Sequence, residues 1–324
     1  MEKILTVSVA AYNVEKTIRQ TLDSFCQSKY LKEIEILVVN DGSKDNTANI
    51  VKEYEIKYPE SIRLISKENG GHGSTINTSI AQGTGKYFKV VDGDDWVDAE
   101  ALDRLIERLR ETNADMVIND YVEVYPTHQV EKYIGEGKEQ YRTYTMEELP
   151  INQEFPMHSI TILLSLMQRC KYKISEKRFY ADTEYIFFAM LMSQKIEFQN
   201  KIVYCYRLGE AGQSVSKEGI YNHIEDYLFI VERLISVYKE VSLNLDSKNN
   251  ERIKFFIIDR YRLIFDFFKV MPKHDKDYLL KKFDYHMQKK YPELIGAMPL
   301  GRKKIIRWNY TIGLWILRFW NKLK

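Results

Sequence analysis

The sequence predicts an α/β domain, a mostly parallel sheet flanked by helices, followed by a helical C-terminal appendage, and three observations predict it. Through the first 120 or so residues, short apolar runs alternate with amphipathic helical stretches, the rhythm of βαβ units. Polar residues crowd the positions just after each apolar run. Beyond Gly219 the apolar residues fall at spacings of three and four almost to the end.

In chain order, strands are expected at Ile4 to Ala10, Ile34 to Val39, Ile62 to Ile65, Tyr87 to Val91 and Met116 to Asn119. Helices are expected between them at Val14 to Ser28, Asp45 to Lys57, Ser74 to Gln82 and Ala99 to Thr112. From Val124 to Leu149 the chain turns polar and carries Pro126, Gly135 and Gly137, which reads as a flexible crossover or small hairpin. Helices near Ile160 to Gln168 and Thr183 to Ser193 follow, then a strand pair near Glu197 to Leu208. Tyr227 to Tyr238 and Ile253 to Val270 carry the helical pattern of the appendage.

Composition narrows the function classes. With 44% hydrophobic and 29% charged residues, and only 7 Pro and 15 Gly, the chain is globular rather than disordered. A net charge of +2 gives no reason to expect nucleic acid as a partner. Cys26, Cys170 and Cys205 are scattered and form no C-x-x-C pair, so a zinc or redox motif is not expected and a reducing, cytoplasmic setting fits. The apolar start, MEKILTVSVAAYN, is interrupted by Thr6 and Ser8 in period two and reads as a buried strand, not a signal peptide. No stretch has the length of a spanning helix.

In an open parallel sheet, ligands bind beyond the carboxyl ends of the strands. Here those ends read Ala11-Tyr12-Asn13, Asn40-Asp41-Gly42-Ser43, Glu68-Asn69-Gly70-Gly71-His72-Gly73 and Asp92-Gly93-Asp94-Asp95, so four polar loops converge on one edge. Asp92 and Asp94, two apart after a buried strand, can put carboxylate oxygens on a hard divalent cation. Acidic residues suit a diphosphate site only with such a cation between them, because bare carboxylates repel phosphate. The plainer alternative is an acidic turn with Asp98 capping the next helix. A calcium-loop reading fails, since Trp96 stands where a ligand is needed and Val97 where a glycine is needed. Asp41-Gly42-Ser43 alone is equally a turn and helix start. The glycines at 70, 71 and 73 lack the full G-x-G-x-x-G spacing, so a NAD site is not expected. No basic phosphate signature follows Val9, which argues against a sugar nucleotidyltransferase.

Taken in order, VSVAAYN, EILVVNDGSKDNT and ENGGHGSTINTSIAQGTGKYFKVVDGDDWVD resemble the family 2 inverting glycosyltransferases of bacterial cell-surface polysaccharide synthesis, over about the first 120 residues. The resemblance implies a GT-A nucleotide-binding domain, a UDP-sugar donor and Mn²⁺ or Mg²⁺. It implies that Tyr12 and Asp41 hold the uracil, that Asp92 serves the ribose and the metal, and that Asp94 serves the metal and diphosphate. Gly71 and Asn77, in the same stretch, are assigned to the donor as well. FYADTEYIFFAM is similar to the segment where the family carries its catalytic base, which falls on Asp182. The chemistry needs such a group, because the acceptor hydroxyl must lose its proton as it attacks the anomeric carbon. Asp182 also suits a helix cap, and the two roles are compatible. His158 is assigned to the acceptor pocket or metal shell, and Arg207 and Gln213 to acceptor or diphosphate.

Three departures from the family pattern stand out: Ala10 and Ala11 where a proline is usual, Ile76 where an arginine is common, and Ala181 in place of a glutamate. The last two motivate an alternative, a catalytically inactive nucleotide-sugar-binding relative. The organisation expected is 1–216 as the catalytic domain, with 1–123 binding donor and 124–216 binding a glycan or lipid-linked acceptor, and 217–324 as the helical region. The tail from Arg302 to Lys324 holds seven Lys and Arg and no acidic residue. On a helical wheel, Ile305, Trp308, Ile312, Trp315, Ile316, Phe319 and Leu323 share one face, with Lys304, Arg307, Arg318 and Lys322 on the opposite flank. That pattern predicts an interfacial helix on an anionic membrane surface, with the protein peripheral on the inner face of the cell membrane.

Overall fold

The structure, a computed structural model, describes residues 2–153, 155–209, 216–296, 301 and 304–322. It divides into two compact units, residues 1–209 and 210–324. Gln213, Arg302, Lys303, Leu323 and Lys324, singled out above, lie outside the described residues.

The first unit opens with β1 (Leu5–Ala11), α1 (Ile18–Cys26), β2 (Ile34–Asn40), α2 (Thr47–Lys57), β3 (Ile62–Ser66), α3 (His72–Gln82) and β4 (Tyr87–Asp92). A two-residue β5 (Trp96–Val97), α4 (Ala99–Glu111) and β6 (Met116–Val124) follow. Then come β7 (Gln129–Lys132), β8 (Thr143–Thr145), β9 (Ile160–Leu163), α5 (Leu164–Arg169), α6 (Ala181–Met192) and β10 (Lys195–Arg207). One sheet runs β3-β2-β1-β4-β9-β6-β10-β5, with β7 paired to β6 and β8 to β10. β1, β2, β3 and β4 are mutually parallel, so the order reverses at β1 and leaves a crevice between the ends of β1 and β4.

Burial explains the pattern of these strands. β1, β2 and β4 are covered on both faces and therefore read as near-continuous apolar runs, with Val7, Val9, Ile36, Val38 and Val91 fully buried. The helices add one stripe each, as α4 does with Leu102, Leu105, Ile106 and Leu109. Each such side chain stabilises the fold by about 1.5–3 kcal/mol relative to exposure. The Asp98 carboxylate caps α4 by accepting from the Ala101 N–H at 2.8 Å.

Two expectations need correction. Ile160 to Leu163 is a strand, not the start of a helix: β9 lies antiparallel between β4 and β6, where its β-branched residues are buried on both faces, and α5 begins only at Leu164. The expected strand pair over Glu197 to Leu208 is a single strand, β10, of 13 residues parallel to β6. Its polar Asn200-Lys201 step is absorbed as a register shift within the strand rather than as a turn. The polar stretch after Val124 does make a small hairpin, β6–β7.

The second unit contains α7 (Lys217–Val241), α8 (Ser247–Val270), α9 (Asp277–Lys290), α10 (Lys304–Trp308) and α11 (Tyr310–Lys322). Ser216 and Asp246 cap α7 and α8 through bonds from Gly219 and Asn249. Ile230, Val231 and Leu234 of α7, with Ile257, Tyr261, Ile264 and Phe265 of α8, belong to its buried core. The tail breaks at Asn309 into two helices, and its basic flank is not uniformly outward. Arg307 reaches the buried Asp284 at 2.8 and 2.9 Å, and Arg318 reaches Asp277 at 2.6 and 2.7 Å. Both carboxylates sit on α9, and paired, hydrogen-bonded charges of this kind tolerate burial where lone ones do not. Among the described residues no helix is long and apolar enough to cross a membrane.

Candidate functional site

The loops after β1 and β2 are buttoned together first. Asn13, in a left-handed conformation with φ 53°, donates its N–H to Ser43 Oγ and accepts from the Lys44 N–H, while Glu15 and Asp45 exchange bonds with the facing backbone. Tyr12 is left half exposed at the lip, at 52%. Asp41 turns the other way, beneath the β3–α3 loop. Its Oδ1 accepts from the Gly70 N–H (2.8 Å), Lys67 Nζ (3.0 Å) and Ser74 Oγ (3.3 Å), and its Oδ2 from the Gly71 N–H (2.7 Å). A carboxylate has about four lone-pair sites, so Oδ2 keeps room for one more donor.

Gly71 has φ +79°, and a Cβ there would stand 3.2 Å from the Lys177 N–H nitrogen, so a glycine is required where this loop meets the segment ahead of α6. Asn77 fastens the same segment: its amide donates to the Ile174 carbonyl (2.9 Å) and Glu176 (3.1 Å) and accepts from the Ile174 N–H (3.0 Å). From α3, Asn77 thus holds the segment that carries the chain into Asp182. Asp182 lies in the first turn of α6, after Tyr180 in a left-handed conformation. Ala181 and Ile76, the two departures, are both buried.

On the β4 side, Gly93 is required because a Cβ would come within 2.7 Å of the Ala10 carbonyl on β1. His72 Nε2, at the start of α3, pairs with Asp92 Oδ1 at 2.9 Å. Burial pulls the His72 pKa down, but Asp92, Asp182 and Asp94 together raise it above its ordinary value. Burial likewise opposes ionisation of Asp92, and the His72 pair outweighs it, so Asp92 is held below the usual carboxyl value. Three expected residues, Asp92, Asp94 and Asp182, therefore share one electrostatic neighbourhood with His72.

His158 comes to this edge from the turn preceding β9. Its ring stacks on Tyr206 at 4.1 Å, its Nδ1 is buried without a hydrogen-bond partner, and burial pushes its pKa down to about 4. It is neutral at pH 7, as a metal-ligating histidine must be. Asp92, Asp95 and His158 offer ligand atoms that all lie within 4.8 Å of one another. Asp95 suits a brace better than a ligand. It is buried, it accepts from the Tyr204 hydroxyl (2.5 Å) and the Arg207 N–H (2.7 Å), and burial with the charges of Asp92 and Asp94 pushes its pKa well up. Asp94 is not in that trio. Arg207, at the end of β10, clasps the turn by donating to the Asp94 carbonyl (2.8 Å) and to Gln20 (2.6 Å).

Sequence reasoning did not single out Asp95, Tyr204, His72 or Lys89 for a role. Lys89 is fully buried in β4 and donates to the carbonyls of His158 (2.7 Å) and Ile160 (3.3 Å), which pins the His158 turn, and burial pushes its pKa down to about 7. A lysine inside the apolar run YFKVVD was the available signal.

Comparison with known proteins agrees with this geometry. Residues 6–164 match the model of Glycosyl transferase family 2. Glycosyltransferase GlyA of Streptococcus pneumoniae is 31% identical over 226 residues, which is 65% of this chain and 31% of GlyA, so the match spans about a third of that relative. Among solved structures, Staphylococcus aureus TarS 1–349, in complex with UDP-GlcNAc, aligns with a TM-score of 0.69 at 19% identity, covering 97% of this chain and 89% of TarS 1–349. The mannosyltransferase PcManGT of Pyrobaculum calidifontis, in complex with GDP-Man and Mn²⁺, aligns with a TM-score of 0.55 at 14% identity, over 99% of this chain and 88% of its own. The fold is GT-A, an α/β domain with a helical C-terminal region.

Proposed function

Because this chain belongs to glycosyl transferase family 2, we propose that it transfers a sugar, with inversion, from a UDP-sugar to a hydroxyl of a glycan or lipid-linked glycan acceptor in cell-surface polysaccharide synthesis. The observation that carries the reading is the convergence of Asp92, Asp94 and Asp182 around His72 at the carboxyl edge of the sheet. A lone acidic turn has no use for a further element, α6, whose Asp182 adds its charge to those acting on the same histidine.

In this reading Tyr12 and the open lone pair of Asp41 Oδ2 receive the nucleotide base, and Asp92 receives the ribose side. Asp92 and His158, together with Asp94, would hold a divalent cation, Mn²⁺ or Mg²⁺; the lowered pKa values of Asp92 and His158 suit it, and PcManGT was solved with Mn²⁺. When bound, that cation supplies positive charge against the departing diphosphate. Asp182 takes the proton of the acceptor hydroxyl as its oxygen forms the bond to the anomeric carbon. The bond from that carbon to the β-phosphate oxygen breaks with its electron pair on UDP, so an α-linked donor gives a β-glycoside. Asp95, Tyr204 and Arg207 keep the 92–95 turn in shape.

A second reading, a nucleotide-sugar-binding protein without activity, is favoured by the buried Ala181 and Ile76, which supply neither the acid nor the cation usual there. Melting temperatures with UDP-GlcNAc, UDP-glucose, UDP-galactose and GDP-mannose, each with and without Mn²⁺, test donor class, because a ligand that binds only the folded state stabilises it. A UDP-sugar that raises the melting temperature only with Mn²⁺ supports the proposal, and no shift with any UDP-sugar contradicts it. UDP release from the donor that binds then separates enzyme from binder.

A further inference from the structure

We propose that the outward face of α10 and α11 is a preformed docking surface for an anionic lipid bilayer, rigidly mounted on the second unit. The tail's two sides have opposite characters. Ile306, Leu314 and Leu317 are buried, and the Arg307–Asp284 and Arg318–Asp277 forks tie the helices to α9, with Arg318 also bonded to the Phe268 carbonyl of α8. Facing water instead are Trp308 (75% exposed), Ile312 (45%), Trp315 (65%) and Phe319 (50%). Ile312, Trp315 and Phe319 follow one another at helical spacing along α11, where the Trp315 and Phe319 rings stack at 5.9 Å, and Trp308 is the exposed ring of α10 across the break at Asn309. The same helices are thus packed on one side and apolar to solvent on the other.

Charge names the occupant. The second unit carries 22 Lys and Arg against 14 Asp and Glu, while the first carries 26 against 32. From Met271 to Lys324 the balance is 13 to four, and two of those four acids are the inward partners of Arg307 and Arg318. A set of exposed aromatic and aliphatic side chains in a basic setting fits the headgroup region of an anionic bilayer, where indole rings settle and Lys and Arg gain from the surface potential. A protein partner would need acidic surface around an apolar pocket, and a symmetric dimer through this face would set basic surface against basic surface.

Docking of this kind makes no use of the donor site, so the test stands apart from the enzymatic proposal. The full chain is sedimented with vesicles of phosphatidylcholine alone and of phosphatidylcholine with phosphatidylglycerol, at low and high salt. It should pellet with the anionic vesicles only, and less in high salt. Trp308→Ser with Trp315→Ser should cut that partition by about tenfold or more with an unchanged melting temperature, since both side chains already face water. Ile312→Ser with Phe319→Ser repeats the measurement independently should the first pair lower the melting temperature. Binding that survives both pairs overturns the proposal. So does a chain that ignores anionic vesicles, including one that sediments as a dimer and becomes monomeric in either variant, which would assign the face to a second copy.

Discussion

In the β3-β2-β1-β4 half of the sheet every neighbour runs parallel and each strand ends in its own polar loop, whereas in the β9-β6-β10-β5 half directions mix and β9 is threaded between strands from elsewhere in the chain. The first half brings Asp41, Asp92 and Asp94, with His72, to the carboxyl edge. The second supplies His158, Tyr204 and Arg207, and two of these three act by holding the 92–95 turn. A site of this type therefore needs one region specified by local sequence and another that serves as its bracket, assembled by contacts more than a hundred residues apart. If so, damage to the two regions should look different.

The largest effect is expected at the cation. Stripping divalent ions with EDTA should abolish transfer, a loss of several kcal/mol of transition-state stabilisation or roughly a hundredfold or more in rate, and Mn²⁺ should restore it. Transfer assays across an EDTA and Mn²⁺ titration check this. Next, His158→Ala should weaken Mn²⁺ binding by about tenfold or more, measured by calorimetry on the folded protein. Wild-type affinity in that variant would place the cation away from β9 and leave His158 as a packing residue.

Stability effects come below these. Asp41→Ala strands the Gly70 and Gly71 N–H groups and removes the counter-charge beside the Lys67 ammonium, and should cost about 2–4 kcal/mol by denaturant unfolding. In the bracket half, the buried Glu197 carboxylate accepts from Arg108 (2.8 Å), Thr112 (2.7 Å) and Thr143 (2.8 Å). Burial opposes its ionisation, but these donors prevail and hold its pKa below the ordinary carboxyl value. Its contribution is therefore complete above that ordinary value and is lost as pH falls through the lower folded value. Glu197→Gln should cost about 1–3 kcal/mol at pH 7, with the gap to wild type closing in acid. A gap that stays constant down to pH 3 would mean the charge is not what matters.

The same division explains what was legible in the sequence. β1 to β4 and their loops announce themselves because each apolar run and its turn residues lie within a few positions of one another, and the expected strand bounds fall within about a residue of the observed ones. β9 reads as helix in the sequence because the four-residue run ITIL carries no period of its own and becomes a strand only through β4 and β6. β10 was split in two because Asn200-Lys201 resembles a turn. Asp95 passed as one more acid in DGDD until Tyr204 and the Arg207 N–H, over a hundred residues later, closed on it. On the tail, a wheel reports which residues share a face but not which face is covered, and Arg307 and Arg318 found their acids on α9.

The account turns on Asp182, the group delivered by α6 to an edge otherwise built from the strand ends. Donor affinity and transfer rate should be measured side by side for Asp182→Asn, by calorimetry with the UDP-sugar that binds and by UDP release in the presence of acceptor. The account predicts donor affinity and melting temperature close to wild type, with the transfer rate lower by roughly 10²-fold or more. A transfer rate within a few-fold of wild type, in a variant that is folded and binds donor, would contradict it.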